Sequence, residues 1–139
     1  MQDILVFLQQ HWLLSSALLV VLVLLIGLEF IKQKSGGARL SPAAATKLIN
    51  HENAVVIDVR NADAFAKGHI VEAVSLPIAD LAKSKKIDKF MTRPIILVCE
   101  MGADSAKAAP PLLKKGFKVH ILGGGLRTWK TEQLPLVKS

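Results

Sequence analysis

"PIILVCEMGADSAKAAPPLLKKGF", residues 94–117, decides how the rest of the chain is read. Its first five residues, Pro94–Val98, form an unbroken apolar run of the length and composition of a strand buried on both faces. Cys99, the only cysteine, follows directly. A helix is expected from near Ala103 to Lys115, with Gly116 as its C-terminal stop. A buried strand that passes through a short loop into a helix is the repeating unit of a parallel sheet.

The flanking segments repeat the alternation. "LSPAAATKLIN" opens a helix with Ser41 as N-cap and Pro42 at the first helical position. "AVVIDV" (Ala54–Val59) reads as a second buried strand, followed by a helical turn around Ala62–Ala66 that Gly68 stops. "AVSLP" (Ala73–Pro77) is a brief strand ended by proline, and "IADLAKSKKIDKFM" reads as one or two short surface helices. "FKVHIL" supplies a further strand, followed by Gly123, Gly124 and Gly125 and a helix carrying Trp129. The fold class expected is α/β, a parallel sheet covered by helices on both faces.

In such sheets chemistry collects beyond the carboxyl ends of the strands, and Cys99 occupies that position. Backbone N–H groups of the loop and of the helix start would point at its sulfur and stabilise a thiolate. A small, inert, buried residue ending a strand is the alternative that the residues alone leave open. The loop contains no GxxxxGK, so a nucleotide P-loop is unsupported. His51 and His120 have no partners at metal-ligand spacing, so neither a metal nor a cofactor is expected.

Charge is placed unevenly. The first 31 residues contain no Lys or Arg, so all 18 cationic side chains follow Ile31, and the net charge is +7. From Ile4 to Leu28 nothing is charged, and Trp12–Ile31 supplies the roughly 20 apolar residues that a helix needs to cross the hydrocarbon core. A cleaved signal peptide would carry its positive charge before the apolar run. Here the start is "MQD", and Lys32, Lys34 and Arg39 come after it. Residues 1–31 are therefore read as an uncleaved single-pass anchor spanning at about 12–31, with the N-terminus outside and the C-terminal domain in the cytoplasm. "KQKSGGAR" (Lys32–Arg39) reads as a flexible linker, and residues 40–139 as the domain. The lysines are scattered and no aromatic residues interleave them, so no nucleic-acid partner is expected. A surface facing anionic lipid headgroups accounts for the charge.

Taken together, the motifs resemble the rhodanese-like sulfurtransferase family. "VIDVRNADAFAKGHIVEAVSLP" (Val56–Pro77) is similar to the family's early signature, with Asp58, Arg60, Gly68 and His69 at its marked positions. "CEMGADSAKAAPPLLKKGF" resembles its active-site loop and following helix, and "VHILGGGLRTW" its Gly-Gly-x-x-x-Trp ending, here Gly123, Gly124 and Trp129. The resemblance implies a five-stranded parallel sheet flanked by helices. It also implies that Cys99 takes a sulfane sulfur from thiosulfate or a protein persulfide, holds it as a persulfide, and passes it to an acceptor such as a protein thiol. The loop would be Glu100, Met101, Gly102, Ala103, Asp104 and Ser105. Asp58 and Arg60 are expected to fix the strand-to-helix turn, with Asp63 as a partner for Arg60. His69 is read as a packed, hydrogen-bonded histidine and Trp129 as core.

Two departures bear on function. Asp104 stands where many members carry Arg, and Glu72 where glycine is usual. Two like charges about 5 Å apart repel by about 3 kcal/mol at an effective dielectric near 20, which disfavours both a thiolate and a bound dianion. The readings carried forward are a membrane-anchored sulfurtransferase and, alternatively, a catalytically weak rhodanese-fold module that recruits a partner at the cytoplasmic membrane face. A phosphatase on the same fold would need an Arg to clamp phosphate, and neither 104 nor 105 is Arg.

Overall fold

Apolar runs too short for helices become the strands. A computed structural model describes residues 1–35 and 37–139, and for 32–35 the backbone only. Part of the stretch read as a linker, Gly36, therefore lies outside the described residues. The chain divides into two compact units, Met1–Lys34 and Ser35–Ser139.

The first unit holds helix α1 (Gln2–Gln10) and most of helix α2 (Trp12–Ser35). Within α2, Trp12–Ile31 has a mean hydropathy of 2.6 and none of it is buried. By length and composition it could cross a membrane.

The second unit is built on a five-stranded, all-parallel sheet in the spatial order β1 (Ala38–Leu40), β5 (Val119–Leu122), β4 (Ile95–Val98), β2 (Val55–Asp58) and β3 (Val74–Ser75). The two-residue side-chain period of the strands separates two cores. Val55, Ile57, Val59, Ile95, Leu97, Cys99, Val119 and Ile121 face one side. There they pack against helix α6 (Ala103–Lys114), helix α5 (Ile78–Leu81) and a 3₁₀ turn at Lys85–Phe90. Val56, Ile96, Val98 and Leu122 face the other side, under helices α3 (Pro42–Glu52) and α7 (Gly125–Thr131). Each fully buried aliphatic side chain contributes about 1.5–3 kcal/mol relative to an exposed one, which favours this two-sided cover.

Local chemistry sets the helix starts. Ser41 Oγ accepts from Ala44 N at 3.2 Å, with Pro42 at the first turn. Asn61 Oδ1 accepts from Ala64 N at 2.8 Å and starts helix α4 (Ala62–Lys67). β1 was not foreseen: Ala38 and Arg39 fall in the stretch read as linker, yet they pair with His120 and Ile121 of β5. An exposed edge strand of three residues has too little apolar content to stand out in sequence.

Glu72 has φ 63°, in the left-handed region. This costs an L residue about 1–2 kcal/mol and explains why glycine suits the position.

Two outcomes are expected. Residues 35–139 alone should fold as a soluble cooperative unit, because both cores lie within them; an aggregated product without near-UV circular dichroism would contradict this. In that fragment Glu72→Gly should raise the urea midpoint, worth about 0.5–1 kcal/mol once glycine's extra unfolded-state entropy is subtracted.

Candidate active site

β4 ends at Val98 and delivers Cys99 to the mouth of the sheet, where the chain turns into α6. Cys99 is 2% exposed, and its Sγ accepts backbone N–H bonds from Gly102 at 2.9 Å and Ser105 at 3.4 Å. Gly102 caps α6 with φ 97°, a left-handed conformation that turns its amide onto the sulfur and that a side chain would strain. Ser105 is fully buried, and its hydroxyl has no hydrogen-bond partner among the described residues.

The loop rests on α7. Leu126 N donates to the Cys99 carbonyl at 2.9 Å and Arg127 N to the Glu100 carbonyl at 3.0 Å. A β-carbon on Gly125 would collide with the Cys99 carbonyl and come within 2.6 Å of that of Glu100. Gly123 and Gly124 precede it, Gly123 N donating to Leu40 O at 2.8 Å and so tying this turn to β1. Trp129, 4% exposed, packs in the α3/α7 core, and its Nε1 donates to Pro135 O at 3.1 Å.

Charges beside the loop are paired. Arg60 grips the buried carboxylate of Asp58 through Nε to Oδ1 at 3.0 Å and Nη2 to Oδ2 at 2.7 Å. Its Nη2 also donates to Gly68 O at 2.7 Å, and its Nη1 reaches Glu100 Oε2 at 3.4 Å. Burial opposes the Arg60 charge, but the bonds and charge of Asp58, with those of Glu100, outweigh it and raise the guanidinium pKa. The expected pairing with Asp63 gives way to Asp58 and Glu100. Asp63 instead lies exposed in the first turn of α4, where the helix dipole favours an acid.

Glu100 is half-exposed and also meets Lys130 Nζ at 3.6 Å, so two cations answer its charge. Met101, Ala103 and Asp104 are exposed, Asp104 in the first turn of α6. His69 is buried. Its ring stacks on Phe65 at 3.8 Å, and Nδ1 donates to Phe65 O at 2.8 Å. It is a packing residue, and its backbone bridges to Val137. His120, on β5, has its pKa lowered by burial, with Glu52 opposing weakly.

Sequence reasoning missed Lys130, which joins the loop network from α7. It also missed Arg39, whose Nη1 would lie 3.4 Å from a β-carbon on Gly102. Neither stands near Cys99 in sequence, and no spacing marks either one.

The sequence profile of the Rhodanese-like domain family matches residues 41–132. Over 99% of each chain, the protein is 35% identical to "Uncharacterized protein YibN" of Escherichia coli (strain K12). It is 36% identical to the thiosulfate sulfurtransferase GlpE of Coxiella burnetii, over 66% of this chain and 86% of that one. A crystal structure of a rhodanese-related protein from Thermoplasma volcanium superposes with a TM-score of 0.66 at 24% identity, covering 73% of this chain and 99% of that chain, and so shares the fold. With its sheet order, its cysteine loop and this profile match, the chain belongs to the rhodanese-like domain family.

Proposed function

We propose that the protein is a membrane-anchored sulfurtransferase that carries sulfane sulfur as a persulfide on Cys99. The observation that carries this reading is the pair of backbone N–H groups on Cys99 Sγ. A neutral buried thiol is a weak acceptor and needs no such donors, whereas a thiolate or persulfide anion is stabilised by them. The likeness to GlpE of Coxiella burnetii, a thiosulfate sulfurtransferase, supports the same chemistry.

With thiosulfate as donor, the Cys99 thiolate attacks the outer sulfur. A new S–S bond forms, the donor's S–S bond breaks, and sulfite leaves with the bonding pair. An acceptor thiolate then attacks the outer sulfur of the persulfide, takes it, and regenerates the Cys99 thiolate. Neither step needs an external oxidant or a cofactor. The low exposure of Cys99 favours a small donor, or a sulfur presented at the tip of a side chain.

The binding-module reading draws on the same burial, since a sulfur that nothing can reach cannot turn over. Intact-mass measurement separates the two. After thiosulfate treatment the native protein should gain one sulfur atom, lose it to a reducing thiol, and gain none as Cys99→Ser. A Cys99 that stays unmodified until the chain is denatured would leave a recruiting module instead.

Trp12–Ile31 is the proposed anchor, and the Lys and Arg residues that follow it support a cytoplasmic side for residues 35–139. Protease added to intact cells should therefore spare this domain; its digestion there would reverse the orientation.

A further inference from the structure

We propose that Arg39 is the anion-binding residue of the Cys99 site, selecting sulfur donors whose negative charge lies on oxygens beyond the sulfur being transferred. The assignment rests on the sulfurtransferase reading and narrows its substrate class.

An oxyanion brought to Cys99 meets a loop that contains two acids, Glu100 and Asp104. Two of the neighbouring cations are already engaged: Arg60 by Asp58, Gly68 O and Glu100, and Lys130 by Glu100. Arg39 differs. Its side chain is exposed and has no hydrogen bond or ion pair among the described residues.

Topology brings Arg39 to the sulfur's side of the sheet. Arg39 pairs in register with Ile121, and Ile121 lies with Leu97 and Cys99 in the core beneath α6. Partners directly opposite in adjacent strands point to the same face, so Arg39 stands on the α6 side of the sheet. Its Nη1 would lie 3.4 Å from a β-carbon on Gly102, and the Gly102 amide is 2.9 Å from Cys99 Sγ. Covalent geometry then holds the guanidinium within about 9 Å of the sulfur. A transferred sulfur adds about 2 Å, and the oxyanion it carries reaches farther still. The exposed arginine arm closes the remaining distance.

A side chain at 102 would point toward the guanidinium, and glycine leaves that space free. Ser105 adds a fully buried hydroxyl without a partner among the described residues, on the residue whose amide already faces Sγ. The guanidinium fork matches an oxyanion's geometry, which an ammonium does not.

The test uses the full chain in an uncharged detergent and two alkylating reagents of similar size, anionic iodoacetate and neutral iodoacetamide, with Cys99 modification read by mass. In Arg39→Gln the iodoacetate-to-iodoacetamide rate ratio should fall about fivefold. It should fall further in Arg39→Glu and recover substantially in Arg39→Lys. Added salt should bring the wild-type ratio toward that of Arg39→Gln. With thiosulfate, Arg39→Gln should raise KM more than it lowers kcat.

An unchanged ratio in Arg39→Gln, with Cys99 reacting normally toward both reagents, would overturn the assignment and leave Arg39 as a cation flanking the apolar helix. A wild-type Cys99 inert to both reagents would overturn the sulfurtransferase reading and this assignment with it.

Discussion

The close approach of Gly125 to the carbonyls of Cys99 and Glu100 is the constraint on which the site depends. No β-carbon fits there, so the start of α7 lies against the loop and donates two amides to it. With those carbonyls held toward α7, the chain reverses at Gly102, and the amides of 102 and 105 are left facing the sulfur. Larger residues at 125 would push the loop off its support, and the N–H cradle would go with it. The glycine run is thus a packing device for the cysteine loop, set by a contact about 25 residues away in sequence.

A second constraint is electrostatic. Asp58 is buried at the end of β2, and a buried carboxylate is tolerated only when it is paired. Arg60 pairs it with a two-point grip and spends its remaining donors on Gly68 O and Glu100. Through Glu100 and Lys130 the same chain of charges reaches α7. Glu100, which the sequence presents as a repulsive acid beside the sulfur, is used to tie the loop to its neighbours. Asp104 is exposed, so solvent screens its charge, and it complements the N-terminal end of the α6 dipole.

These two constraints explain why the fold could be read more fully than the site. Strands such as Val55–Asp58 and Ile95–Val98 are buried along their whole length, and burial on both faces leaves an unbroken apolar run that any reader of the chain can find. Ser41 and Asn61 mark helix starts through short-range hydrogen bonds, which depend on neighbours three residues away. β1 offers neither signal. It owes its existence to pairing with β5, some 80 residues further on, and half of its surroundings are solvent.

The sequence by itself determined the α/β alternation, the apolar helix near the N-terminus, the position of Cys99 at a strand end and the family motifs around it. Each depends on local composition or on spacing along the chain. Tertiary structure alone decided which charges gather around the cysteine loop. Arg60 chose Asp58 and Glu100 over Asp63, and Lys130 closed the network from α7. Arg39 came to the loop from an edge strand. Such partners lie tens of residues apart, and a Coulomb contact of a few ångströms exists only after the sheet has set the register of its strands.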